Sequence, residues 1–456
     1  MVMNPEMAVD LTRALAEDFH AQRTKLDEID KFLSSENPVQ VVARKAHTNP
    51  DSEHNKIAKL AHTPLLSLVV AETAQQLVLE GVTTDDPESA ARLWWPWERN
   101  GLVSRQGALW SATIGYGTAH VIALPGETVY RDGRMQDDVW MGGFSPRDLH
   151  VEWGDVFQDE YPAFALRVVG QPGNRKNYRL YDEEAVYFLA DSVRPGGIDF
   201  IEAQIHGMGV CPVVSFHNDL DLEGRSPGDV QKFKVPALRH DKTVNDRLLA
   251  QHFNSWKVRT VSGIEPPETP EEVDALKIKL SNDSILTGEE GVTFGSLPET
   301  TLDGFIRAAD ADRDMLAAVS QTPVWALNGG QLVNLSADAL VEARAMQRLK
   351  IEQKQRANGV SVARALRLGA LAAGRFDDAD DFSVKPVWAD VESRSLSQVA
   401  DALGKIVQSL GVPAELVLDM IPGVSPSKAK EWREFMRENP SEREQLAATL
   451  NRQLRG

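Results

Sequence analysis

A single cysteine, Cys211, stands in 456 residues. One thiol closes no internal disulfide, and zinc modules built on cysteine need several. A reducing compartment fits that usage. The G-x-x-x-x-G-K-[ST] phosphate loop is missing, as is the H-E-x-x-H metal motif. Nothing in the sequence therefore marks an ATPase. Apolar runs are short: Pro64–Val70 falls far below the roughly 20 residues of a membrane span. Residues 1–19 carry early acids and no apolar signal core, so a soluble protein is expected. Positive charge is also in deficit. Lys and Arg number 49 against 67 acids, a net charge of -18. A whole-surface nucleic-acid binder would be basic, so any contact with DNA has to be local.

What is present is an ordinary globular composition, 42% hydrophobic and 25% charged. The length suits two to four domains, or one elongated multi-part subunit. Leu11, Leu15, Phe19, Leu26, Ile29 and Leu33 recur at helical spacing and predict a helix over 5–33. A second, apolar helix is expected over 55–80, closed by Gly81. Asn100-Gly101 is a turn signal ahead of a helix at 102–117. The period then changes. Short strands are expected at 119–124, 138–141, 163–169, 178–180, 185–189 and 213–216. Residues 229–257 read as one long helix despite Pro236. Residues 258–300 read as strands around a small helix at 270–280, and 302–319 as a further helix. Residues 320–335 read as a loop, after which Ser336 caps a helix running to about 374. Asp377–Asp381 reads as an acidic linker. Residues 395–456 read as three short helices, broken at Gly411-Val412-Pro413 and Pro422-Gly423.

The motifs that invite a chemical reading mostly fail on chemistry. Gly224-Arg225-Ser226-Pro227-Gly228 spells the G-x-S-x-G elbow of serine hydrolases. In that elbow the residue after the serine donates its backbone N–H to the oxyanion, and Pro227 has none. A turn with Ser226 as helix cap before Pro227 is the plainer reading. Gly115-Tyr116-Gly117 lacks the partners of a phosphate loop and reads as a helix-to-strand turn. His47, His54 and His62 stand too far apart for one helical ligand face and suit surface or capping roles. Trp94, Trp95 and Trp97, beside apolar helices, suit a core or subunit contact. The aspartates at 377–381 lack the ligand spacing of a calcium loop.

Two stretches concentrate positive charge in this acidic chain. Residues 225–259 hold eight Lys/Arg against three acids, and residues 337–375 again hold eight against three. A solvated or ion-paired face explains such a run. Pairing with a neighbouring subunit, or a surface facing passing nucleic acid, explains it as well.

Several stretches resemble one family in order along nearly the whole chain. They are Asn55–Gly81, Trp97–Ala123 (WERNGLVSRQGALWSATIGYGTAHVIA), His206–Pro227 (HGMGVCPVVSFHNDLDLEGRSP), Thr322–Leu340 (TPVWALNGGQLVNLSADAL) and Val387–Met436. Together they resemble a tailed-bacteriophage portal protein of the siphophage type found in phages of actinobacteria. That resemblance implies an α+β, elongated subunit. Its parts would be a helical wing containing a β-rich section (1–224), stem helices at 225–257 and 301–319, and a small α/β clip at 258–300. A tunnel loop at 320–335, a long wing helix with linker at 336–385 and a helical crown at 386–456 complete it. It also implies a non-enzymatic ring, typically of twelve subunits, at one capsid vertex. Such a ring passes double-stranded DNA for the terminase motor and later binds head-completion proteins.

The partners implied are the terminase large subunit, the major capsid and scaffolding proteins, an adaptor and the DNA itself, with no cofactor, metal or membrane. The places implied are the virion and, during assembly, the host cytoplasm. The tunnel-loop residues would be Pro323, Val324, Trp325, Asn328, Gly329, Gly330, Gln331 and Asn334. Lys232, Lys234, Arg239, Lys242, Arg247 and Lys257 would be the basic residues of the stem or channel. Arg344, Arg348, Lys350, Lys354 and Arg356 would be those of the long helix. The competing readings are a head or adaptor protein without a tunnel, and a hydrolase using Ser226.

Overall fold

The computed structural model describes residues 2–34, 53–129, 135–170, 175–193, 196–255, 259–262, 293–296, 300–328, 344–390 and 396–439, apart from 419, 420, 422, 423 and 425. Two compact units divide at Trp388/Ala389.

The first unit opens with helix α1 (Pro5–Leu33). Asn4 accepts a hydrogen bond from the Met7 N–H at its start and Pro5 occupies the first turn, where no amide is needed. Ala8, Thr12, Leu15, Phe19 and Leu26 form its buried stripe. The helix expected over 55–80 is instead two helices and a strand: α2 (Glu53–Leu60), α3 (Leu65–Ala74) and β1 (Leu79–Thr83). Pro64 separates the helices, since it lacks the N–H that a continuous helix requires. Gly81 is a strand residue, not a helix cap. Helix α4 (Pro87–Arg99) is capped by Asp86 and followed by α5 (Leu102–Tyr116), with Gly101 left-handed between them.

The β-rich section holds β2 (Thr118–Val129), β3 (Met135–Phe144), β4 (Leu149–Glu152), β5 (Phe164–Gly170), β6 (Lys176–Tyr181), β7 (Ala185–Asp191), β8 (Ile198–Ile205) and β9 (Val213–His217). Strands β4 to β8 form an antiparallel five-stranded meander, and β3-β2-β9 a three-stranded sheet. Helix α1 covers one face of the meander, where Ala8 and Leu15 meet Leu180, Tyr187 and Leu189. The other face packs on the smaller sheet through Ile122, Leu149, Tyr181, Cys211 and Val213.

Helix α6 (Asp229–Ser255) and helix α7 (Asp303–Ser320) pack together. Between them, β10 (Arg259–Ser262) and β11 (Thr293–Ser296) pair antiparallel. The small helix expected at 270–280 lies outside the described residues. The expected loop after α7 is helical at α8 (Val324–Asn328). Helix α9 (Ala345–Ala372) then crosses the three-stranded sheet. The expected acidic linker carries a helical turn, α10 (Phe376–Ala379), and Asp378 within it is buried against Arg92. Strand β12 (Lys385–Trp388) returns to pair with β1. Residues 386–388 therefore belong to the first unit, which ends at Trp388.

The second unit holds α11 (Leu396–Leu410), a 3-10 turn (Ala414–Leu416) and α12 (Pro426–Glu438). Val399, Leu403 and Val417 form its core. The last of the three expected helices is α12, and residues 440–456 lie outside the description.

Candidate functional site

The two glycine motifs that fail as catalytic signatures meet each other. A Cβ on Gly117 would stand 2.1 Å from the Ser226 carbonyl oxygen, and one on Gly228 would stand 2.2 Å from that of Gly115. Only two glycines permit this approach, and Gly117 also holds a left-handed φ of 105°. The Ser226 hydroxyl donates to the Gly117 carbonyl at 2.6 Å. Ser226 is thus neither a nucleophile nor the expected helix cap. It pins the entry of α6 to the α5–β2 turn.

A buried polar network begins three residues further on, at Asp229. The Lys350 ammonium donates to Asp229 Oδ2 at 2.8 Å and to the Ser320 carbonyl at 3.1 Å. Asp229 is the first residue of α6 and Ser320 the last of α7, so one side chain of α9 ties together the roots of both helices. Asn218 donates to Asp229 Oδ1 at 2.9 Å and to the Pro227 carbonyl at 3.0 Å. Lys354, one turn along α9, donates to the Asn218 carbonyl at 2.9 Å and pairs with Asp219 at 2.8 Å. Burial pulls the Lys354 ammonium below its usual value, opposed by the carboxylates of Asp229 and Asp219. Burial pushes the Asp219 carboxyl up, but hydrogen bonds from Lys232 and Lys354 outweigh it and hold it low. Lys350 and Lys354 are therefore internal struts, unavailable to DNA or a neighbour.

Most of the other basic candidates also have partners within the chain. Arg239 pairs with Asp312 of α7 at 2.6 Å, Lys232 with Asp219, and Lys242 with Asp246. Arg348 and Arg356 both reach Glu352, at 3.6 and 3.4 Å. Arg344 lies over the Trp325 ring at 5.9 Å. Lys234 is exposed and Arg247 half-buried. Lys257 lies outside the described residues. An open groove of about 770 Å3 runs beside α9, but of its cations Arg364 and Arg367 both face Glu160 and Arg356 faces Glu352.

Helix α8 packs against α3 and α7. Pro323 precedes it, Val324 is exposed, Trp325 is half-buried and Leu327 is buried. Asn328 donates to Asp314 at 3.1 Å. Val324, Trp325 and Asn328 thus stand on a packed helical turn rather than on the expected open loop. Gly329, Gly330, Gln331, Asn334 and the cap residue Ser336 lie outside the description.

The remaining motifs resolve as packing. Trp97 is fully buried with Trp94 stacked beside it, while Trp95 is exposed. His62 is no surface residue: its Nδ1 meets Asp241 of α6 at 2.8 Å, with both side chains buried. His47 lies outside the description, as does the side chain of His54. Among the described residues no cluster of His, Cys, Asp and Glu suits a metal ion. No described helix is long and apolar enough to cross a membrane.

A family model described as "Phage portal protein, SPP1 Gp6-like" matches residues 13–442. The chain belongs to that family. It is a phage-type portal protein, a structural protein of the virion and not an enzyme. No curated protein matches it. Among solved structures, a chain of the "Virion of native gene transfer agent (GTA) particle" is 14% identical, with a TM-score of 0.44, covering 79% of this chain and 89% of the other. A chain of the "Neck of empty GTA particle computed with C6 symmetry" is also 14% identical, with a TM-score of 0.40, covering 81% and 92%. The root of α6 and α7 is held twice: glycine-on-glycine contact fixes one helix, and Lys350 clamps both.

Proposed function

We propose that this portal subunit assembles into a ring at one vertex of the head, through which the terminase motor drives double-stranded DNA inward and from which the DNA later leaves. The family match over residues 13–442 carries this reading. Residues 1–224 serve as wing, α6 and α7 as stem, 258–300 as clip, the stretch around α8 as the approach to the channel, and the second unit as crown. The clip presents the motor-docking surface, and the finished ring receives capsid, scaffolding and adaptor proteins. The subunit acts in the virion after assembly in the host cytoplasm. The chain's net charge of -18 suits a conduit, because phosphate is repelled rather than gripped.

Negative-stain imaging of the purified protein tests the ring. Annular particles with a central hole are expected, and a uniform monomer that never assembles, even with capsid protein, would refute it. Packaging is tested separately by removing Asn328–Gln331 and measuring DNA per assembled head. Reduced DNA content in intact heads is expected, and normal content would remove this stretch from the channel.

A further inference from the structure

Arg167 of β5 and Arg179 of β6 are register partners, so their side chains leave the same face of the meander directly opposite each other. Both are half-buried. Like charges in that position repel, and a sheet gains when an acid stands there instead. Among the described residues no carboxylate pairs with either guanidinium. Asp199 and Glu202 share the face but stand on β8, two strands from Arg179, with Phe188 of β7 between Arg179 and Glu202. Glu202 already accepts from the Gln204 amide at 3.0 Å.

Aromatic rings take the place of the missing acids. The Arg167 guanidinium lies over the Phe144 ring at 4.3 Å, and that of Arg179 over the Phe188 ring at 5.5 Å. Stacking holds a guanidinium by its face and leaves its N–H edge free. Burial raises the Tyr181 hydroxyl, and the two guanidiniums beside it oppose that rise. Trp140 extends the row on the same strand and face as Phe144. It is 41% exposed, and its ring centroid is 6.1 Å from that of Phe144. Gly142 between them makes the row possible, since a Cβ there would stand 3.1 Å from the indole and 3.3 Å from the Phe144 ring. The result is a two-arginine seat with an aromatic shelf beside it.

We propose that this seat binds a carboxylate of a protein partner, on a short segment where an acidic residue stands next to an apolar one. Each guanidinium offers a planar pair of N–H donors that matches a carboxylate, and the shelf covers the neighbouring apolar side chain. Duplex DNA fits less well. Its phosphates lie on a surface with nothing apolar to fill the shelf, and the chain's net charge of -18 repels it. The seat needs residues of one subunit only, so it exists whether or not a ring forms.

The test uses the full chain at low salt and a fluorescein-labelled peptide of alternating Glu and Leu, followed by fluorescence anisotropy. The parent should bind it saturably. Arg167→Gln or Arg179→Gln should weaken binding about tenfold or more, because bonds to a charged group are lost. No binding by the parent, or equal binding by parent and variants, would overturn the seat. So would a labelled DNA duplex whose binding falls with the same substitutions while the peptide's does not, since phosphate would then be the ligand. Removing one of two facing cations relieves repulsion, so each variant should keep the parent's urea midpoint or exceed it. A lower midpoint would show the pair to be packing that needs no ligand, and would overturn the seat. Arg179→Lys is the second variant: it keeps the charge but not the planar donor pair, and should also weaken the peptide. Unchanged affinity there would overturn the seat as well.

Discussion

Replacing Lys350 by methionine tests whether the root of the helix pair is held by charge or by shape. Methionine keeps most of the side-chain volume and removes the ammonium. The Asp229 side chain, 3% exposed, then keeps the Asn218 hydrogen bond and the charge of nearby Lys354 but loses its direct ion pair, and the Ser320 carbonyl loses the Lys350 ammonium. Breaking a buried ion pair from one side costs about 3–5 kcal/mol, mostly because the remaining charge is stranded. Lys350→Met should lose an amount in that range. Adding Asp229→Asn removes the stranded charge, so the double variant should lose about 0.5–3 kcal/mol less than the sum of the single losses. The assay is urea unfolding of the unassembled subunit, followed by far-UV circular dichroism, because assembly would mask the monomer's stability. A loss below about 1 kcal/mol for Lys350→Met, against the 3–5 kcal/mol expected, would refute the clamp. Strictly additive losses around the cycle would refute it too.

Other perturbations follow from the same geometry. Gly117→Ala meets the Ser226 carbonyl at 2.1 Å in a left-handed backbone, and should cost more than the about 1–3 kcal/mol of backbone strain alone. Gly81→Ala, with nothing within 4 Å, serves as the neutral control in the same melting experiment. Burial depresses His120 from 6.5 to about 3 and His217 to about 4, so both are neutral when folded. The unfolded chain takes up those protons first. Their contribution to stability is therefore full above about pH 6.5 and is lost as pH falls below it, at up to about 1.4 kcal/mol per unit for each group, the loss ending near pH 4 for His217 and near pH 3 for His120. A His120→Gln variant whose urea midpoint falls as steeply as the parent's over that window would rule His120 out as a source. Gln321 ends α7 with a φ of 53°, so Gln321→Gly should raise the thermal midpoint by relieving about 1 kcal/mol of left-handed strain. A lowered midpoint would show that the Gln321 side chain contributes more than its backbone costs.

Much of the helical framework was legible because its signals are local. Leu11, Leu15, Phe19 and Leu26 mark one face of α1, and Asn100-Gly101 marks the turn before α5. The failures come from information carried elsewhere in the chain. Strand β1 is a strand because β12, about 300 residues later, pairs with it, and no local window shows that. The acidic run at 377–381 looked solvated. Asp378 is instead buried because Arg92, on α4, supplies two hydrogen bonds at 2.8 and 3.0 Å. The glycine motifs are visible in the sequence, but neither one points to the other. Their shared function appears only when Gly117 and Gly228 are seen to touch.

The basic stretches illustrate the same limit and bear on how DNA is handled. Counted along the sequence, 225–259 and 337–375 look like two positive surfaces. Folded, Lys350 and Lys354 point inward to Asp229 and Asp219, while Arg239, Lys242, Arg348 and Arg356 meet acids on their own or adjoining helices. Such exposed pairs contribute only about 0–1 kcal/mol each, but they cancel the field that a phosphate backbone would feel. Cancellation is useful in a passage for DNA. A duplex bound through six to ten free cations would be held tightly and released only by salt, at about one counterion per contact. Charges spent within the subunit cannot grip. In the proposed ring, cohesion would then have to come from contacts that salt does not screen. Such a ring should persist at about 1 M salt, where screening acts within roughly 3 Å. Rings that fall apart there would return the cohesion to charge.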